Sequence, residues 1–175
     1  MSDPLQELMQ TSSQPAIDGE DQAEPIGESL QFLTFTIDDE EYGVDIMKVR
    51  EVKGWSETTR LPNTPQFMRG VLNLRGVVIP IFDLRARFGG QLTKATEKHV
   101  IVIMAVGNRI AGILVDTVSD ILSTYQHEIK ESPNHDIAVE DQFVNGLIAV
   151  NDRMVVLLNM EKLLDAELLD VPAKH

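Results

Sequence analysis

The side chains able to do chemistry in this chain are few and scattered. It carries four histidines, 28 aspartates and glutamates, and no cysteine, which excludes thiolate metal sites, thiol catalysis and disulfides. His99, His127, His135 and His175 lack the short spacings by which two imidazoles share a metal ion, and each reads as a surface or loop residue. The run Asp38-Asp39-Glu40-Glu41 could attract a cation, but it lacks the spaced ligands and central glycine of a calcium loop. It reads as a solvated hairpin tip. No Gly-x-x-x-x-Gly-Lys phosphate loop, Gly-x-Gly-x-x-Gly turn or Gly-x-Ser-x-Gly elbow occurs. The expectation is a protein that is not an enzyme and has no catalytic, cofactor-binding or metal-binding residues.

One stretch stands as the alternative. Ile113-Leu114-Val115-Asp116-Thr117-Val118-Ser119 is similar to the Asp-Thr-Gly element of aspartic proteases, with an apolar strand before the acid. Val118 occupies the place where that element needs glycine for close backbone approach. Such a site also needs two carboxylates sharing a proton. The internal repeat described below sets Met47 against Asp116, so one chain supplies no second acid.

The elements that would position any site are short and extended. From Leu30 onward, apolar β-type runs alternate with turn signals. Residues 32–37 and 42–46 flank the acidic turn, while 100–106 and 109–115 flank Gly107-Asn108, a two-residue hairpin signal. Further hairpins are expected at 71–75 with 77–82 around Gly76, and at 147–150 with 154–158 around Asn151-Asp152-Arg153. Helix is sparse. Asn159 is a candidate N-cap for a C-terminal helix over 160–169, and a single turn after Thr64-Pro65 is expected to end at Gly70. Residues 1–29, rich in Gln, Ser, Pro, Asp and Glu, read as a disordered acidic tail.

The two hairpin sets repeat each other. A shift of 69 lays residues 32–52 on 101–121 and sets Gly43 on Gly112; a shift of 76 lays 67–84 on 143–160. The second shift sets Phe67-x-x-Gly70 on Phe143-x-x-Gly146, and Asp83 on Asn159. Short antiparallel strands remove their edges best by closing. The repeat therefore predicts a mainly β domain over 30–168, built as two similar five-stranded β-barrels, the first over roughly 30–90 and the second over roughly 98–158. Each is too small to be secure alone, so the two should share an apolar core.

Charge is segregated along the chain. The formal net charge is −13, which argues against a nucleic-acid partner. Residues 1–47 carry twelve acids and no Lys or Arg, residues 48–98 carry ten bases and four acids, and residues 99–175 carry five bases and twelve acids. A basic surface made from the middle third would steer an acidic protein partner. No apolar run is long enough to span a bilayer, and the opening Met1-Ser2-Asp3-Pro4 is no secretory signal, so a cytoplasmic protein without direct membrane insertion is expected.

At Glu41-Tyr42-Gly43-Val44-Asp45-Ile46-x-x-Val49-x-Glu51-Val52, and again from Asn63-Thr64-Pro65-x-Phe67-x-x-Gly70 through Asn73-Leu74-Arg75-Gly76-Val77 to Asp83-Leu84-Arg85, the sequence closely resembles the CheW family of bacterial chemotaxis coupling proteins. The likeness continues through Gly112-Ile113-Leu114-Val115-Asp116 and 147–164, covering about residues 30–165. It implies two five-stranded barrels around a shared core. It also implies a non-enzymatic adaptor, a monomer when isolated, joining the cytoplasmic tips of transmembrane chemoreceptors to the regulatory domain of the histidine kinase CheA in membrane-associated arrays. By the resemblance, Val49, Glu51 and Arg75 fall at partner-binding positions; the plainer alternative makes Val49 a core residue and Glu51 with Arg75 a surface ion pair worth at most about 1 kcal/mol. Gly70, Gly112 and Gly146 fall at positions sensitive to change, where they hold turns or close strand packing. A CheW-like adaptor of another chemosensory pathway, such as twitching motility, would carry the same pattern.

Overall fold

Alternating apolar residues and tight turns set the strands. In the computed structural model, which describes residues 29–131 and 139–164, ten strands form two five-stranded sheets. Strands β1 (Ser29–Ile37) and β2 (Glu40–Asp45) form a hairpin whose Asp38 and Asp39 both have positive φ. Strand β3 (Val49–Gly54) follows a 3-10 turn, Ile46–Lys48. Strands β4 (Met68–Leu74) and β5 (Val77–Asp83) make the next hairpin, and a short helix α1 (Leu84–Arg87) is capped by the Asp83 carboxylate. The second half repeats this order with β6 (Val100–Val106), β7 (Arg109–Val115), β8 (Thr117–Tyr125), β9 (Val144–Val150), β10 (Arg153–Leu158) and α2 (Met160–Leu163), capped by Asn159.

The mainly β class stands, and the route of the chain through the sheets differs from the sequence expectation. One sheet has the order β8-β1-β2-β10-β9 and the other β3-β6-β7-β5-β4. Each therefore takes a hairpin from one half of the chain and three strands from the other, instead of lying within 30–90 or 98–158. The first is called the β1 sheet and the second the β6 sheet. Neither is a closed barrel. Each curls until the segment beyond one edge meets the other edge at a single bridge, Thr59 with Val71 and Lys130 with Leu147. Local pattern cannot distinguish contiguous from exchanged halves, because the same hairpins are used in both.

The repeat itself is visible in the register. Leu157 lies beside Gly43 in the parallel pair β10–β2, and Ile81 lies beside Gly112 in the parallel pair β5–β7. The Asp83 N–H donates to the Phe67 carbonyl at 2.7 Å, and the Asn159 N–H to the Phe143 carbonyl at 2.8 Å. A single core joins the sheets: Leu33, Phe35, Ile37 and Val44 from one meet Val102, Met104, Val106 and Ile113 from the other.

Other expectations are corrected locally. The turn expected to end at Gly70 is not helical; Gly70 lies inside β4. Helix α2 is described over Met160–Leu163, and its expected continuation to 169 lies outside the described residues, as does the expected tail over 1–29 apart from Ser29, which begins β1 instead.

Candidate functional site

Glu51 and Arg75 come from opposite edges of the β6 sheet. Glu51 lies on β3 and Arg75 at the β4–β5 turn, and the Arg75 Nη2 donates to Glu51 Oε1 at 2.5 Å. The pair thus spans the gap left by the open curl. Arg75 is 73% exposed at its side chain and has φ 54°. Arginine gains nothing from a left-handed backbone, which Asn or Gly occupies with less strain. Asn151, its repeat partner, has φ 57°. Gly76, next to Arg75, supplies the second positive φ that a tight two-residue hairpin requires.

Val49 begins β3 beside Met104 and packs against the shared core while half-buried. A bulge at Arg50 keeps Val49 and Val52 on one face, with Val52 43% exposed. Next to Val49 a recess of about 180 Å³ opens between the sheets. Phe32, Val44 and Leu157 line it from the β1 sheet, and Met104 and Ala105 from the β6 sheet. Lys48 and Glu161 stand on its wall, joined at 3.0 Å, and Met47 beside them is 79% exposed. Asp45, Asn145 and Asn159 also line it, so the recess is mixed in character and of a size to take an apolar side chain of a partner helix.

The three glycines sit at close strand packing, none of them in a turn. A Cβ on Gly70 would lie 2.3 Å from the Thr59 carbonyl oxygen, and φ there is +134°. On Gly112 it would lie 2.6 Å from Ile81 Cδ1, and on Gly146 2.3 Å from Ile129 Cγ2. Gly70 and Gly146 are where the bridging segments cross β4 and β9.

Much of the basic middle third is engaged within the molecule. Arg69 pairs with the buried Asp83 at 2.9 Å, and Asp83 also accepts from the Thr93 N–H and hydroxyl. Arg85 donates to both oxygens of Asp116 at 2.8 and 2.7 Å, to Asp38, and to the Thr93 hydroxyl. The hydrogen bond to Asp38 leads in holding the Arg85 guanidinium pKa above its usual value, with the Asp116 bond after it. Asp116 is thus an ion-pair partner of Arg85 rather than half of a carboxylate dyad. Among the described residues, no three His, Asp or Glu side chains are grouped to hold a metal ion. No described helix is long and apolar enough to cross a membrane.

Lys48, Glu161 and the recess they border escaped the sequence reading. The repeat held the signal: the 76-residue shift that sets Asp83 on Asn159 also sets Arg85 on Glu161.

Two curled sheets thus share one core, and both line a recess between them. The CheW-like domain family matches residues 31–168. Chemotaxis protein CheW of Klebsiella aerogenes is 44% identical over 137 residues, covering 78% of this chain and 82% of that one. Protein FrzA of Myxococcus xanthus is 31% identical over 135 residues, covering 77% and 84%. The crystal structure of the scaffolding protein TtCheW from Thermoanaerobacter tengcongensis superposes with a TM-score of 0.73 at 28% identity, covering 82% of this chain and 93% of that one. The chain belongs to the CheW family.

Proposed function

We propose that this protein is a non-enzymatic adaptor that couples transmembrane chemoreceptors to the histidine kinase CheA, and that it is recruited from the cytoplasm to receptor arrays. The observation that carries the reading is the recess between the sheets bordered by Lys48 and Met104, the neighbours of Val49 in chain and in register. The groove takes the apolar stripe of a receptor's helical hairpin, with Val49 as apolar contact and the charges setting register. Arg75 supports this role because it holds a strained backbone conformation with a largely exposed side chain, where a purely structural turn would use Asn. Gly70, Gly112 and Gly146 affect binding only through the packing that shapes the strands.

An adaptor of this kind acts by position, holding two partners at raised effective concentration. Reconstitution of kinase, receptor fragment and this protein tests it. Autophosphorylation should change when all three are present and stay at its basal rate when the receptor is left out. Stimulation of the kinase by this protein alone would instead mark a direct allosteric activator. A second reading, an adaptor for another chemosensory pathway, is favoured by the 31% identity to Protein FrzA. Co-purification with tagged kinases and receptors from the native cell separates the two.

A further inference from the structure

The repeat gives a counterpart to each residue around Trp55. Trp55 packs on the apolar cluster of the β6 sheet that contains Ile81, Ile101 and Leu114, and the Arg69 guanidinium stands over its ring at 4.9 Å. The shifts of 69 and 76 set Ile101 on Phe32, Leu114 on Asp45, Ile81 on Leu157 and Arg69 on Asn145. All four counterparts line one recess of about 230 Å³ at the end of the β1 sheet. Leu30 and Ile129 add to its apolar lining, and the exposed Gln31 and Gln126 to its polar lining.

Trp55 itself falls on Thr124, whose hydroxyl donates to Glu128 Oε1 at 2.5 Å. The backbone keeps the same correspondence: the Trp55 N–H donates to the His99 carbonyl, and Thr124 pairs with Leu30, the counterpart of His99. The space that an indole and a guanidinium fill in one sheet is therefore an open recess in the other. Its exposed Asp45, where the β6 sheet has a leucine, caps the Met47 N–H through Oδ1.

We propose that this recess receives an aromatic side chain of a partner protein, with a lysine or arginine of the same partner segment held at Asp45. The molecule's own second copy of the site is the template: an aromatic ring fits the curl, and a cation belongs beside it. Aromatic anchors seated in such pockets dominate many interfaces. The occupant comes from another protein, because residues 1–28, 132–138 and 165–175 contain no Phe, Tyr or Trp. A second copy of this chain is a poor source, since its described aromatic rings are buried or half-buried. The recess adjoins the one beside Lys48 through Phe32, Asp45, Asn145 and Leu157. The proposal goes beyond the coupling reading, because it specifies the chemistry of a partner side chain and no pathway.

The test uses the full chain, with leucine and isoleucine methyl groups labelled for NMR, and three N-acetyl dipeptide amides as probes: Trp-Lys, Trp-Glu and Leu-Lys. At about 10 mM, Trp-Lys should move the methyl signals of Leu30, Ile129 and Leu157 through its ring current. It should bind about two- to fivefold more tightly than Trp-Glu, the range of one exposed charge pair, and more tightly than Leu-Lys. Asp45→Asn retains an oxygen to cap the Met47 N–H, and should remove the preference for Lys over Glu while the ring still shifts the same methyl groups. Asn145→Arg, which restores the cation of the other sheet, should weaken Trp-Lys. No methyl shift with Trp-Lys, equal binding of Leu-Lys, or an unchanged preference in Asp45→Asn overturns the assignment. So do contacts of these methyl groups with residues 1–28 in the absence of probe, which would make the chain its own occupant. Tryptamine binding about tenfold more tightly than Trp-Lys also overturns it, in favour of a free aromatic amine. No probe involves a kinase or a receptor, so failure here is distinct from failure of the coupling reading.

Discussion

The two sheets share strand order, bulges and glycines, yet their concave faces are filled differently. Inside the β6 sheet, Ile79, Ile81, Ile101, Ile103 and Leu114 are buried, with Trp55, Leu72 and Leu74 packed on them. Inside the β1 sheet the buried apolar residues are Ile148, Val155 and Leu157, with Phe32, Leu122, Ile129 and Val150 around them. The repeat identifies the exchanges: Thr34 stands for Ile103, Asp45 for Leu114 and Thr124 for Trp55. Thr34 is buried and its hydroxyl bonds both the N–H and the carbonyl of Asp120 at the β8 bulge. One copy of the plan is thus packed for stability, and the other gives up apolar filling next to the open groove.

The largest effects should come where the shared plan is tightest. Gly70→Ala sets a methyl against the Thr59 backbone and asks alanine for a φ of +134°. It should cost about 3 kcal/mol or more in urea unfolding. Its repeat partner Gly146 meets chiefly the Ile129 side chain, which can shift, with the Lys130 carbonyl oxygen farther off at 3.1 Å and no positive φ, so Gly146→Ala should cost about 1–2 kcal/mol. If Gly70→Ala aggregates, its soluble fraction beside that of Gly146→Ala carries the same comparison. Equal costs would mean that the bridging segments yield equally on both sides.

Exchanging the fillings sharpens the contrast at the next level. Ile103→Thr puts a hydroxyl among aliphatic side chains and should cost about 2–3 kcal/mol. Thr34→Val, the converse change, loses the Asp120 bonds but gains apolar surface, and should cost about 1 kcal/mol. A larger loss for Thr34→Val would show that the β1 sheet depends on its polar bulge more than the β6 sheet depends on its filling.

Hairpins and the duplicated register were legible in the sequence because they are local, written in turn residues such as Gly107-Asn108 and in alternating apolar positions. The exchange of strands was not. Pairings such as Leu33 with Ile121 join residues far apart in sequence, and either arrangement buries the same alternating faces. Strands β3 and β8 were not separately assigned, since edge strands such as Val49-Arg50-Glu51-Val52-Lys53 mix charge with valine. Helix α1 was missed because four residues carry too short a period to read. At the site, the plainer reading of Glu51 and Arg75 as a surface ion pair is what the curled sheet forms, while their place at a partner contact rests on the resemblance. Lys48 and Glu161 are 113 positions apart and meet for the same reason.

The smallest stability effect should fall on the site residue where strain and function separate. Arg75 and Asn151 occupy equivalent turns with φ of 54° and 57°, a backbone that asparagine accepts more readily than arginine. Arg75→Asn trades an exposed ion pair for a relaxed turn, so its urea midpoint should equal or slightly exceed that of the wild type. Binding should move the other way. If Arg75 contacts receptor or kinase, Arg75→Asn weakens that partner, and Arg75→Glu weakens it by about tenfold or more because it adds repulsion where attraction stood. Arg75→Glu should also flatten the salt dependence of binding, since one favourable charge contact is lost. Measuring affinity for both partners and unfolding on the same preparation decides the case. Unchanged affinity for both would remove Arg75 from the site. A large loss of stability in Arg75→Asn would instead make the bond to Glu51 the latch that holds the β3 and β4 edges together, and the β6 sheet would owe part of its firmness to a surface charge rather than to its filled interior.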